Sequence, residues 1–332
     1  MCTWTGFVGR GNAAPVVLEM IEKIEGLWSG YYSGLVTADP AGLHYGKLHG
    51  GLRAWRERFS AADFPGGTAL FHSRTNSGGE DESAHPFVAP DDAVAVVSQG
   101  SVTFFAEECN RAVVANGNRL LGQGAHFPSG RTDRERNRLA DGRGVCMSEV
   151  VVYRVAEVYR ACGDPVRAIR SAATEMPEES VSGFVFADRP ETLYFVNTSQ
   201  SIVAGRTKDG VCCSTTSLAF PAGTRDVTVL PYNAVITVTA AGWRYEPLAP
   251  RFDIMAEMPA GSEAALIRWL EAHPGETLSH AVDGALKPLC PADGRMYPRA
   301  ATAYRTLEKL YAAGRLEFTR YDEVQAGLKV RA

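Results

Sequence analysis

Nowhere in the 332 residues is there an apolar run approaching the roughly 20 residues that a membrane span needs. The N-terminus carries no basic stretch followed by an apolar one, so no secretory signal is visible. Cysteine is sparse. The seven are scattered, an odd number without the spacing of a disulfide framework, and the neighbours Cys212 and Cys213 have neither metal-ligand nor redox-motif spacing. Charge of one sign is also lacking, since a net charge of -4 gives no electrostatic reason to bind nucleic acid or an anionic membrane. Internal repeats and low-complexity tracts are absent. The expectation from these absences is a cytoplasmic protein with mostly reduced thiols, whose partners include neither membrane nor nucleic acid.

What is there is an ordinary globular composition, 45% hydrophobic and 22% charged, long enough for two domains of about 100–200 residues. The opening CTWTGFVG alternates as a short strand does, and residues 14–27 place apolar side chains at helical spacing with Pro15 near the start. Strand-like runs follow in SGLVTA, GTALFHSR and AVAVVSQG. Residues from about 115 to 145 are rich in glycine and arginine and poor in periodic apolar positions, which predicts a long loop or insertion. Helices are predicted over 148–162 and 164–176, then strands in VSGFVFA, ETLYFVN, SIVAGRT, VTVLPY and AVITVTA. Strands and helices come in blocks, which implies antiparallel sheets with segregated helices. A boundary falls near Pro247–Pro250, so the domains are expected at 2–248 and 251–332. The second unit has three helical stretches, 262–272, 277–286 and 299–313, and then GRLEFTRYDEV, which is a winged-helix-like order.

Removing the initiator methionine would leave Cys2 with a thiol and a free α-amine on one residue. An α-amine has a pKa of about 7.7–8, so it can serve as general base for its own side chain in attack on an amide. CTWTGFVGR, His72-Ser73-Arg74, Ser83-Ala84-His85-Pro86-Phe87 and Val96-Val97-Ser98-Gln99-Gly100 occur in that order, followed by Ser148-Glu149, DRPETLYFVN and GVCCSTTSLAFPAGTRDVTVLP. Over about residues 2–245 this series resembles the class II glutamine amidotransferase domains, in particular the glutaminase domain of glutamine–fructose-6-phosphate aminotransferase. Its motifs there are CGIVGYIG, H-[ST]-R, N-A-H-P-[FH], V-V-H-N-G and D-[ST]-E.

The resemblance implies an α+β fold, the four-layer αββα sandwich of the N-terminal nucleophile (Ntn) hydrolases, here followed by the small helical unit. It also implies roles: Cys2 as nucleophile, Gly100 as backbone donor to the oxyanion, and Arg74 as partner of the substrate α-carboxylate. Thr75, Ser77 and His85 fall at substrate-pocket positions. Several positions depart from the pattern. Gln99 stands in place of the oxyanion-hole asparagine, Met147 in place of the aspartate that holds the substrate ammonium, and Thr75 in place of a tryptophan. Ser29 and Tyr32 stand where an arginine and an aspartate are expected. Within the arginine-rich stretch, Phe127-x-Ser129-x-x-Thr132-Asp133-x-Glu135 echoes the motif F-x-S-x-T-D-T-E, so Asp133 is a candidate replacement for the lost carboxylate. The function expected is release of ammonia from glutamine by Cys2, with no cofactor and no metal, and with any ammonia-accepting synthase on a separate subunit. Two alternatives stay open: a catalytically decayed binding or regulatory protein, and an amidohydrolase with a different amide substrate.

Overall fold

Alternating apolar residues fold most of this chain into antiparallel strands, and the computed structural model describes residues 2–76, 78–101, 103–320 and 326–331. In chain order come β1 (Thr3–Gly9), α1 (Ala13–Ile24), β2 (Tyr32–Asp39), β3 (Gly42–His49), α2 (Leu52–Arg58), β4 (Thr68–Arg74), β5 (Phe87–Val88) and β6 (Val94–Ser101). Three helices follow: α3 (Ala106–Gly122), α4 (Met147–Cys162) and α5 (Pro165–Glu175). Next are β7 (Glu179–Phe186), β8 (Thr192–Asn197), β9 (Val203–Arg206), β10 (Gly210–Ser214), β11 (Arg225–Val229), β12 (Ala234–Thr239) and β13 (Gly242–Pro247). Last are α6 (Ser262–Ala272), α7 (Leu278–Ala281), α8 (Arg299–Ala312), β14 (Leu316–Arg320) and β15 (Ala326–Val330).

The first thirteen strands form two sheets, in the orders β11-β9-β10-β1-β4-β2-β3 and β13-β12-β8-β7-β6-β5. Every second side chain of a strand faces the same way, so each sheet has two faces to bury. The inner faces meet in one cluster that includes Trp4, Val36 and Leu70 from the first sheet and Val97, Phe195 and Ile236 from the second. Trp4 lies 5.1 Å from Phe195, ring centre to ring centre, across that layer. On the outer face of the first sheet, α1 packs Val17, Ile21 and Ile24 with Phe7 and Phe71. On the outer face of the second, α4 and α5 pack Val152, Ile169 and Ala172 with Phe184 and Phe186. Helices therefore flank two stacked antiparallel sheets, which is the layering expected.

Local signals explain the helix ends. Asn12 caps α1 by accepting from the Ala14 backbone, and Asp164 caps α5 by accepting from Val166 and Arg167, with Pro165 at the first helical position. Gly163 closes α4 in the left-handed conformation that glycine adopts without strain. One boundary differs from expectation. Residues 115–122 are not loop but the second half of α3, because Cys109, Val113, Asn116, Gly117 and Leu120 recur on one buried face. A glycine–asparagine-rich helix hides its periodicity. Gly117 is buried there because a side chain at that position would collide with Leu139, so the following loop lies directly against the helix.

The final unit shows the predicted helices, with α7 continuing as a π-helical turn over Val282–Leu286, followed by the β14–β15 hairpin. Residues 321–325, which include part of the predicted terminal strand, lie outside the described residues. Hydrogen bonds between Gly275, Glu276 and Leu328 attach the segment before α7 to β15. Leu266, Leu270, Leu307 and Leu328 join the same cluster as Val17 and Ile21 of α1. Glu308 of α8 accepts from the Thr216 hydroxyl and the Ser217 backbone, both at distances of 2.6 Å. On α8, Ala301 to Tyr304, Thr306, Leu307 and Leu310 are all buried, leaving Arg305 and Lys309 outward.

Candidate active site

Strand parity brings the predicted residues together. Trp4 and Val8 point between the sheets, and so does Cys2, two residues before Trp4. On β4, Leu70 points the same way, which carries His72 and Arg74 with it. The pairing of Thr3 with Ser73 and Trp4 with His72 puts Cys2 next to Arg74 at the ends of their strands. Beyond these ends opens a cavity of about 760 Å³, bordered by Cys2, Arg74, Thr75, His85, Gly100 and Glu178. Its remaining walls include residues 133–137 and 145–148, from the loop between α3 and α4 and the start of α4.

Cys2 is nearly buried, and its sulfur lies 3.8 Å from Thr75 Oγ1. Arg74 is held on two sides. Its Nη1 donates to the Ser83 carbonyl, and its guanidinium lies 5.4 Å from the Tyr32 ring. Tyr32 is fixed in turn by its hydroxyl bond to the Gly79 carbonyl (3.0 Å) and by stacking on His49. His85 is buried with its ring 4.4 Å from that of His72, and neither ring has a hydrogen-bonded nitrogen among the described side chains. Burial lowers both, His72 to about 3 and His85 well below its ordinary value, helped by the charge of Arg74. Both imidazoles are therefore neutral at physiological pH.

At Gly100 the chain approaches β7 so closely that a Cβ would collide with the Glu179 carbonyl. Gln99 points between the sheets and is buried, with neither amide atom paired among the described residues. It does not border the cavity, whereas Gly100 does. Asp133 borders the cavity but is exposed, and Arg131 grips both of its carboxylate oxygens. That hydrogen-bonded pairing lowers the Asp133 pKa. Met147 borders the cavity and receives the Cys109 thiol at 3.2 Å, so its sulfur is occupied by core packing. Ser77 lies outside the described residues. Among those described, no group of His, Cys, Asp or Glu could hold a metal ion.

Several side chains at the site carry no motif signal. Glu178 is buried beside Glu179, accepts from Ser182 at 3.2 Å, and is raised by desolvation to about 7. Its neighbour Glu179 is instead fully engaged by the backbones of Thr103 and Phe105. Arg134 contacts Cys146 Sγ through Nη1 and donates to Ser83 Oγ at 3.0 Å through Nη2. Its clue in the sequence was the density of arginine in the stretch predicted as a long loop.

With Cys2, Arg74 and Gly100 bordering one cavity under a two-sheet sandwich, the chain is similar in sequence and layering to the class II glutamine amidotransferase domains. Among these it is similar to glutamine–fructose-6-phosphate aminotransferase (isomerizing). The protein of that name from Streptomyces coelicolor is 29% identical over 248 residues, which are 74% of this chain and 36% of that protein. The Chlamydia caviae protein is 26% identical over 241 residues, 72% of this chain and again 36% of its own length. The chain thus matches about a third of the length of these curated relatives. No protein-family model matches the chain. Among solved structures, glutamine phosphoribosylpyrophosphate amidotransferase from B. subtilis, complexed with ADP and GMP, superposes with a TM-score of 0.59 at 13% identity. That superposition covers 96% of this chain and 67% of the other and speaks to the fold.

Proposed function

We propose that this protein is an amidohydrolase of the class II glutamine amidotransferase type, which releases ammonia from a side-chain amide through Cys2. Once Met1 is removed, the Cys2 thiol passes its proton to its own α-amine and attacks the amide carbonyl. The oxyanion takes the Gly100 backbone N–H; Gln99, the expected second donor, lies buried behind the cavity wall and would have to turn toward it to donate. Collapse of the tetrahedral intermediate breaks the C–N bond, and the α-ammonium returns the proton to the leaving nitrogen as ammonia. Water, deprotonated by the same amine, then hydrolyses the thioester, giving the free acid and the thiol. Arg74 holds the carboxylate of the substrate, with Thr75 and His85 around it. The mechanism uses no metal or organic cofactor, and an ammonia-accepting synthase would be a partner subunit. The supporting observation is that Cys2, Arg74 and Gly100 border one cavity.

Ammonia release by the purified full chain tests this reading. Cys2→Ala is expected to lower the rate by about 10³-fold or more, as removal of a covalent nucleophile does. Ammonia release that survives Cys2→Ala would sink it, as would a wild-type chain that releases none from glutamine or from its des-amino analogue. A change of amide substrate is the second reading. It is favoured by Met147, which packs against Cys109 where a carboxylate would receive an ammonium.

A further inference from the structure

Around Ser83 the site gathers three cations, Arg74, Arg134 and Lys47. Arg74 donates to the Ser83 carbonyl and Arg134 to its hydroxyl, so two guanidinium groups that border the cavity converge on one buried residue. Behind them Lys47 donates to the carbonyls of Glu82 and Ala84 and lies 4.5 Å from the centre of the Phe87 ring. Neither guanidinium has a carboxylate partner among the described residues; their contacts are hydroxyl, carbonyl, thiol and ring. Two acids answer Lys47: buried Glu149, held by the Ser129 backbone and hydroxyl, and Glu82 beside Ser83; of these Glu149 also feels Arg134. Asp133 and Glu135 border the cavity as exposed residues, and Asp133 is taken by Arg131. Arg136 adds a further exposed cation to the same wall.

The position at which an ammonium would be received is occupied by Met147, directly after Cys146, on which Arg134 rests. The buried carboxylate on the same cavity, Glu178, lies beside Glu179 and accepts from Ser182. The ammonium of an α-amino acid sits on the carbon next to its carboxylate, so a substrate held by Arg74 and Arg134 brings that ammonium among cations. Like charges so placed in a half-buried site oppose binding.

We propose that this pocket selects an amide whose far end is a carboxylate without a free α-ammonium, held between Arg74 and Arg134. Two chemical sources meet that description: the monoamide of a simple dicarboxylic acid, and an amino-acid amide whose amine is acylated. The proposal deepens the amidohydrolase reading and rests on it for the reaction, but not for binding.

Calorimetric titration of the full-length Cys2→Ala protein separates the two, since this variant binds without turnover. Glutaramate, which is glutamine without its amine, is expected to bind at least about tenfold more tightly than glutamine, the scale of one charged hydrogen bond. Arg134→Ala in the same background is expected to erase that preference, and Arg134→Lys to keep part of it; thermal melts confirm that each variant is folded. N-acetylglutamine distinguishes the sources: tight binding points to an acylated amine, and exclusion points to the simple monoamide. Glutamine bound as tightly as glutaramate would overturn the proposal, as would no binding of either amide or a preference untouched in both Arg134 variants. Failure of the amidohydrolase reading shows elsewhere, in a wild-type chain that binds these amides and releases no ammonia.

Discussion

Burial has moved two carboxylates beside the cavity, Glu149 and Glu178, from an ordinary value of 4.5 to about 7. In both, desolvation outweighs the serine hydrogen bonds that favour the ionised form. A folded-state pKa above the unfolded one means that the folded protein holds more protons between about pH 4.5 and pH 7, so stability falls as pH rises through that window. Above it the loss is complete. Glu178→Gln removes one of the two groups that cause the loss. The variant is expected to be more stable than wild type at pH 8, by about 1–3 kcal/mol, and little changed at pH 4.5. Urea denaturation at the two pH values checks this, and equal stability of the two proteins at pH 8 would contradict it. His72, lowered to about 3, stays neutral throughout this range, and burial holds His85 well below its ordinary value, so neither carries a charge at pH 8.

At the scale of elements, the strands that carry Cys2, Arg74 and Gly100 were legible because each is a short alternating run ending in a polar or glycine residue. In the fold, strand parity turns Cys2 and Arg74 toward the space between the sheets, since a period of two leaves little freedom once one face is buried. Helix α3 was not legible: no helix was expected before residue 115, and a loop was expected after it. NGNRLLG offers few apolar residues, and the helix there depends on contact with Leu139 from the next loop. Tertiary contact overrode local preference. The same limit hid the cationic wall: Arg134 reaches Ser83 across 51 residues of sequence, a juxtaposition that no spacing announces. The departures at Met147 and Tyr32 were visible, but their meaning was not. Tyr32 replaces an acid and supports Arg74 through its ring, while Met147 joins the core.

Across the whole molecule, the helices after Pro250 share their apolar cluster with α1 and add to the helical layer on the first sheet. Calorimetric melting of the full chain is expected to show one transition. Leu307→Ala should move that whole transition down, with a cost of about 2–5 kcal/mol, while a separate early transition for the helical unit would contradict the shared core. What the whole arrangement serves is the thiol at the start of β1. The most direct test is peptide mapping by mass spectrometry after reaction of the full chain with the diazoketone analogues of glutamine and glutaramate. The account predicts one adduct, on Cys2, in a peptide whose first residue is Cys2. An unmodified Cys2 still preceded by Met1, or an adduct on another cysteine, would contradict it.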